Sequence, residues 1–136
     1  MVAPSSQRYY PSSAHALPMD MVMMAGAARI QRLREEFPDT AFEDDYMDTE
    51  VGTRGLIRRL DPRGEVTELE FIEPEAFWAD PDAVEEYSET LGMGIKVTVL
   101  VSASEALEAE AFLREEVGGG ITVLAYEDGK RPGKNR

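Results

Sequence analysis

Two apolar segments near the C-terminus predict the strands of a β-α-β unit. Residues 95–101 and 121–126 read IKVTVLV and ITVLAY, and such runs of β-branched and apolar residues are typical of strands buried on both faces. Between them, Ser102 and Glu105 have the spacing of a capping box, which predicts the start of a helix. The inward stripe of that helix comprises Ala106, Ala109, Leu113 and Val117. We therefore expect two parallel neighbouring strands, joined by a right-handed crossover through residues 103–117.

A second helical pattern runs from Pro18 to Glu36. Proline suits the first position of a helix, and Pro38 disfavours helical geometry in the residue before it. The predicted inward stripe comprises Met19, Met23, Ala27, Ile30, Leu33 and Phe37. Methionine fills irregular gaps in cores, and it is also frequent on adaptable binding surfaces. We expect Met21, Met23 and Met24 to lie in the core, and to contact a partner only if the helix proves exposed.

The middle of the chain predicts a β-hairpin. Residues 51–60 and 66–72 alternate in the manner of strands and flank residues 61–64. The segment Asp-Pro-Arg-Gly between them suits a type I turn closed by a bulge. Alternation along the second strand places Leu69 and Phe71 on its buried face.

A third helix is predicted over residues 81–91. A capping residue, a proline at the first helical position and an acid in the first turn follow each other at Asp80-Pro81-Asp82. Gly92 ends the pattern. This helix and the one at 18–36 would cover exposed faces of the sheet.

The fold class that follows is α/β or α+β, with a two-layer sandwich as the architecture. Its mixed sheet combines the hairpin with the C-terminal β-α-β unit. The strand order is ambiguous, and a ferredoxin-like arrangement is one alternative. We expect a single domain over residues 17–127, between a flexible N-terminal arm at 1–16 and a flexible basic tail at 128–136.

Composition narrows the chemistry. The 136 residues fit one domain, and 43% hydrophobic with 30% charged residues indicates a globular protein. Since cysteine is absent and His15 is the single histidine, thiolate sites and histidine-rich metal centres are excluded. We expect neither a metal nor another cofactor. The sequence contains no apolar stretch long enough for a bilayer and no secretory signal pattern, so we expect a cytoplasmic protein.

A net charge of −13 bears on the class of partner. Direct binding to nucleic acid needs Lys and Arg that neutralise phosphates, and anionic membrane surfaces repel such a chain. An acidic protein of this kind attracts basic partners instead. The same charge could equally reflect the composition of the source genome.

Two segments are candidates for contact with a partner. Tyr9 and Tyr10 in the arm could dock on a partner chain or on this chain's own core. Residues 43–50 are a run of charges, predicted as a solvated loop after a short strand at 40–42, because like charges repel each other. The aspartates considered for partner contact are Asp44, Asp45 and Asp48.

One weak candidate for ligand binding lies where a strand enters the last helix. Ser102 and Ser104 would sit at the carboxyl edge of the sheet, where open α/β sheets bind ligands, and could hold a small anion. Glu105 would bring a carboxylate to the same helix end, so simple capping is the favoured interpretation. No catalytic motif is found, which argues against an enzyme.

These observations favour a non-enzymatic accessory or regulatory protein that acts through protein–protein interaction. The partner would be another protein, with a basic protein or a second copy of this chain among the candidates. One alternative is a small ligand-binding domain or enzyme with an anion site near Ser102. Another is an acidic DNA mimic that inhibits a nucleic-acid-binding protein.

Overall fold

A computed structural model describes residues 18–126 of the chain. The helices are α1 (Pro18–Glu36), α2 (Pro81–Gly92) and α3 (Ala106–Glu116). The strands are β1 (Ala41–Thr49), β2 (Gly52–Leu60), β3 (Val66–Ile72), β4 (Lys96–Val101) and β5 (Ile121–Ala125). Short 3-10 turns occur at Phe77–Ala79 and Ala103–Glu105. The predicted arm at 1–16 and tail at 128–136 lie outside the described residues.

The five strands form one mixed sheet in the order β1-β2-β3-β4-β5. The first three strands pair antiparallel, whereas β4 pairs parallel to β3 and β5 pairs parallel to β4. The fold is therefore α+β, and the predicted mixed sheet with its C-terminal β-α-β unit is confirmed. The strand order, which the sequence left ambiguous, is sequential. A ferredoxin-like fold has the element order β-α-β-β-α-β, whereas three consecutive strands follow α1 here.

The C-terminal unit has the predicted parallel pairing of its two strands. Val99 on β4 lies opposite Val123 on β5 in the parallel register, and these residues are 0% and 6% exposed. The inward face of α3 is formed by Ala106, Ala109 and Leu113, all buried as predicted. Gly118 follows the helix with a φ of 123°, a conformation that favours glycine and ends the helix.

Helices cover both faces of the sheet. On one face, α2 and α3 pack against the parallel strands, and their hydrophobic cluster includes Phe71, Tyr87 and Val99. On the other face, α1 packs against β1 and β2, and its cluster includes Ile30, Leu33, Phe42, Ile57 and Leu100. Side chains alternate across a strand, so the central strands contribute to both clusters.

The hairpin of β2 and β3 confirms the predicted turn. Gly64 has a φ of 84° and donates its N–H to the carbonyl oxygen of Asp61 at 2.8 Å, and the register shifts at Arg59/Leu60 as in a bulge. The prediction of a single buried face on β3 was incomplete. Glu70 and Ile72 are buried as well, at 4% and 0% exposure, because α1 covers the face that was expected to be wet.

The inward stripe of α1 is rotated from the predicted one. Val22, Ile30 and Leu33 are buried, whereas Met23 is 44% exposed and Ala27 is also exposed. A helix offers several apolar arcs when most of its residues are apolar, and packing on the sheet selects one of them. The expectation that Met21, Met23 and Met24 belong to the core was therefore wrong.

Candidate functional site

Arg54, Glu73 and Tyr87 form a buried polar network between the sheet and α2. Arg54 lies on β2, Glu73 directly follows β3, and Tyr87 lies on α2. Arg54 Nε and Nη2 each donate to the Glu73 carboxylate at 2.9 Å, and the Tyr87 hydroxyl donates to Glu73 Oε2. The three residues are 8%, 1% and 0% exposed, in that order. The network therefore joins three parts of the fold inside the core.

Aromatic rings surround the guanidinium of Arg54. Its central carbon lies 4.7 Å from the ring centroid of Phe71 and 5.2 Å from that of Phe77, in cation–π geometry. Nη1 of Arg54 donates to Glu86 Oε1 at 2.7 Å, and the Glu86 side chain is 47% exposed. Arg54 is thus packed against apolar rings and hydrogen-bonded to two carboxylates.

The charges of this network follow from burial and pairing. Burial lowers the pKa of Arg54, but the charge and hydrogen bonds of Glu73 and the hydrogen bond to Glu86 together outweigh burial, and the net effect raises this pKa. Burial raises the pKa of the Glu73 carboxyl, and the Arg54 guanidinium offsets part of that rise. Burial raises the pKa of Tyr87 well above its ordinary value, and the charge of Glu73 adds to the rise. Arg54 therefore stays cationic, and Tyr87 stays a neutral donor at physiological pH.

This network is not a suitable catalytic site. Glu73 and Tyr87 have almost no surface through which a substrate could reach them. A small, shallow cleft lies beside Arg54, and its lining includes Met47, Leu56 and Glu86. Glu86 accepts from the remaining guanidinium nitrogen of Arg54, Nη1. The network therefore stabilises the fold and presents no reactive group. No sequence signal pointed to it, since its members are far apart in the chain and belong to no motif.

A second arginine–glutamate pair lies on the opposite face of the sheet. Arg29 on α1 donates from Nε and Nη2 to the two oxygens of Glu70 on β3, at 2.7 and 2.9 Å. The side chains are 14% and 5% exposed. This bidentate pair fixes α1 laterally on the sheet.

The structure brings the predicted ligand residues Ser102 and Ser104 together. Their hydroxyl oxygens lie 3.1 Å apart at the surface. The 3-10 turn Ala103–Glu105 follows Ser102, whose side chain caps nothing.

Glu105 does not form the predicted capping box. Its carboxylate accepts hydrogen bonds from Trp78 Nε1 at 2.8 Å and from the Ala76 N–H at 3.2 Å. The capping prediction was wrong because the buried indole of Trp78 needs an acceptor, and Glu105 provides it. A carboxylate thus lies beside the two serines, which disfavours an anion there.

The aspartates considered for partner contact lie on β1 rather than in a loop. The predicted solvated loop at 43–50 was wrong, since β1 runs to Thr49 as the edge strand of the sheet. Arg58 on β2 lies 3.4 Å from Asp45 and 4.0 Å from Glu43, so it offsets their repulsion across the ladder. Asp44, Asp45 and Asp48 are all exposed.

Side chains form hydrogen bonds with some of the backbone groups along the outer edge of β1. Arg34 Nη2 donates to the carbonyl oxygen of Phe42 at 3.0 Å, and the Tyr46 N–H donates to Asp45 Oδ1 at 3.2 Å. Antiparallel strands alternate between residues bonded to the neighbour and residues facing away from it. The even-numbered residues of β1 therefore direct their backbone groups outward. Charged side chains on such an edge disfavour pairing with another strand.

Tyr46 brings β1 into close contact with α1. A Cβ at Gly26 of α1 would collide with the Tyr46 hydroxyl, and a Cβ at Gly55 of β2 would lie 3.0 Å from Tyr46 Cε1. A side chain at either position would therefore require the Tyr46 ring to move. The Tyr46 hydroxyl donates to Asp44 Oδ2 at 3.2 Å. Burial, and then the charge of Asp44, raise the pKa of Tyr46 to about 12.

The outer side of α1 over residues 21–28 is apolar and exposed. Met21, Met23 and Met24 are 49%, 44% and 71% exposed. We define the methionine surface as Met21, Met23, Met24, Ala27 and Ala28, all of them exposed. The sequence held the signal for it, namely a cluster of methionines, but periodicity alone assigned Met23 to the core.

Carboxylates border the methionine surface. Arg34 reaches β1 at Phe42, so the side of α1 that carries Arg34 faces the sheet edge. Ala27 and Met23 lie two and three turns before Arg34 on that same side. Asp44 and Asp48 flank Tyr46 on the face of β1 that α1 covers. The structure thus places two of the three predicted aspartates beside exposed apolar side chains.

The remaining sequence candidates lie outside the described residues; they are Tyr9, Tyr10 and His15. Within residues 18–126, no group of three or more Asp, Glu or His side chains is arranged to hold a metal ion. No helix in that part of the chain is long and apolar enough to cross a membrane.

Comparisons of the chain with family models, with curated proteins and with solved structures found no match.

Proposed function

We propose that this protein is a non-enzymatic interaction protein whose methionine surface binds a basic, amphipathic segment of another protein. One observation carries the proposal: residues 21–28 of α1 are apolar on the inner and the outer side of the helix. Val22 is 1% exposed beneath it, while Met24 is 71% exposed above it. A helix that is hydrophobic all round is normally buried, so an exposed one is suited to a partner.

Methionine is chemically suited to this role. Its unbranched, polarizable side chain adapts to different apolar partners, and methionine-rich surfaces are used by promiscuous binding proteins. Burying a fully exposed side chain of this size contributes roughly 1.5–3 kcal/mol, and about half of that where the side chain is already half buried, as for Met21 and Met23. Contact with three methionines would therefore account for most of the affinity.

The acidic border supports a basic partner. Asp44 and Asp48 lie beside the methionine surface, and the chain as a whole has a net charge of −13. Charges at the rim of an interface affect association rate and specificity more than affinity. The expected partner segment thus presents apolar side chains on one face and Lys or Arg on its flank.

A designed peptide tests the proposal directly. The probe is a labelled peptide with Leu at helical spacing and Lys on its other face, and its control carries Glu in place of Lys. We expect the Lys peptide to bind and the Glu peptide to fail. In the variant carrying Met23→Gln and Met24→Gln, binding of the Lys peptide should weaken at least about tenfold, since apolar burial is lost.

Met93 provides a matched control. It is 69% exposed, close to the 71% of Met24, but it lies after α2, away from the methionine surface. Met93→Gln should leave peptide binding unchanged. Equal binding by the wild type and the Met23/Met24 variant would exclude the proposed surface.

The same assay distinguishes the DNA-mimic hypothesis from binding through the methionine surface. A mimic acts through its carboxylates, so Asp44→Asn with Asp48→Asn should then abolish binding while the methionine variant retains it. Our proposal expects the reverse order, with the aspartate variant losing mainly the salt dependence of binding.

A further inference from the structure

The N-terminal segment differs in chemistry from the rest of the chain. Residues 1–17 contain Arg8, Tyr9 and Tyr10 and no acidic residue, although the whole chain has 27 Asp and Glu. Aromatic side chains with an adjacent arginine have the chemistry that an apolar surface with an acidic border would bind.

We infer that residues 1–17 cover the methionine surface of their own chain and compete there with the partner segment. Tyr9 and Tyr10 would lie on Met23 and Met24, with Arg8 beside the carboxylates of β1. The competition rests on the proposed function, whereas the coverage of α1 can be measured without any partner. The segment would act as an intramolecular inhibitor, so its release would switch the surface to binding.

The segment is attached at the right place and is long enough. It enters α1 at Pro18, and Met24 lies six residues further on, a rise of about 9 Å along the helix. The eight residues from Tyr10 to Leu17 span up to about 26 Å when extended. A chain that folds back after Tyr10 therefore reaches the methionine surface without strain.

A second copy of the chain fits this surface less well. The exposed apolar stretch of α1 covers only two to three helical turns, well short of the roughly 800 Å² that a stable interface needs from each partner. A second copy would also bring its own acidic border against this one. A tethered segment needs less area, because its effective concentration is in the millimolar range.

Methionine oxidation measures the coverage. Met24 and Met93 have matched exposures of 71% and 69%, so dilute peroxide should convert both to sulfoxide at similar rates if the methionine surface is open. In the full-length protein we expect Met24 to react about threefold to tenfold more slowly than Met93, in proportion to the open fraction. Mass spectrometry of peptides reports both rates from one sample.

Full-length variants identify the occupant. Tyr9→Ser with Tyr10→Ser should raise the Met24 rate to that of Met93 and should tighten binding of the Lys peptide. The control variant carries Ser12→Ala and Ser13→Ala, and it should retain the protection of Met24. Protection that fades on dilution would indicate a second copy and overturn the inference.

The two proposals fail in different ways. Equal oxidation of Met24 and Met93 in the wild type would overturn the intramolecular coverage, and peptide binding would still test the proposed function. Protection of Met24 that is lost in the Tyr9/Tyr10 variant, without any peptide binding, would support the coverage and reject the partner site.

Discussion

Two arginine–glutamate pairs of similar geometry lie on opposite faces of one sheet, and their surroundings differ. Arg54–Glu73 is enclosed between β2, β3 and α2, with side chains 10% and 0% exposed. Arg29–Glu70 joins α1 to β3, with side chains 14% and 5% exposed. Both are bidentate in character, so their difference depends on the neighbours.

The neighbours give the first pair additional bonds. Glu73 also accepts from Tyr87, and Arg54 also donates to Glu86 and lies against aromatic rings. Burying a charge costs several kcal/mol unless further hydrogen bonds compensate for the loss of water. The Arg54 network is thus a set of mutually dependent groups, whereas the Arg29 pair is one contact. A buried ion pair is understood only together with the groups that share its atoms.

Removing Arg54 should have the largest effect. Arg54→Ala leaves Glu73 buried without its cation, which we expect to lower the free energy of unfolding by about 3–5 kcal/mol. Denaturant unfolding followed by circular dichroism measures this change. Arg54→Lys should recover little of it, because an ammonium cannot replace the bidentate guanidinium. A loss below that of Arg29→Ala would reverse the ranking of the two pairs.

Removing Arg29 should lower the free energy of unfolding by less, about 1–3 kcal/mol, because one paired group is left unsatisfied at the side of α1.

Replacing both partners of each pair sharpens the contrast between the two pairs. Arg29→Met with Glu70→Leu should return to within about 1 kcal/mol of the wild type, since well-packed apolar residues can replace an ion pair. Arg54→Met with Glu73→Leu should stay destabilised, because the Tyr87 hydroxyl then loses its acceptor. Equal recovery of both double variants would show that the additional bonds are unimportant.

Alkaline pH should weaken the fold through its tyrosines. Tyr87 and Tyr46 have raised pKa values when folded, so the unfolded chain loses these protons first, near pH 10. Their contribution to stability is complete below pH 10 and disappears as pH rises, through about 12 for Tyr46. Tyr87→Phe should make the decline shallower than in the wild type. Thermal melts across this range, with tyrosinate absorbance as the titration signal, measure both effects.

Glu86→Gln should have the smallest effect. Its side chain is 47% exposed, and ion pairs at such positions contribute at most about 1 kcal/mol. The variant keeps the hydrogen bond to Arg54 Nη1 and changes only the charge. Loss comparable to Arg54→Ala would show that this carboxylate is essential to the network.

Local patterns were sufficient for most elements of this fold. The helix at 18–36, the hairpin turn, the cap at Asp80 and the two parallel strands follow from periodicity and from single residues with strong positional preferences. These signals work because caps, turns and alternating strands depend on neighbours in the chain. The methionine surface could be predicted only in part. The sequence shows the cluster of methionines, but it does not show that they are exposed.

The remaining features depend on which elements meet in space. β1 is a strand because it pairs with the backbone of β2 and because Arg58 offsets part of the repulsion between its carboxylates. Glu105 accepts a hydrogen bond from Trp78 because the connector before α2 brings the indole close to it. Met23 rather than Val22 is exposed because the sheet presents Tyr46 to one particular arc of α1. Each outcome is a competition between contacts that are distant in sequence, and a periodic pattern contains no information about such distant partners.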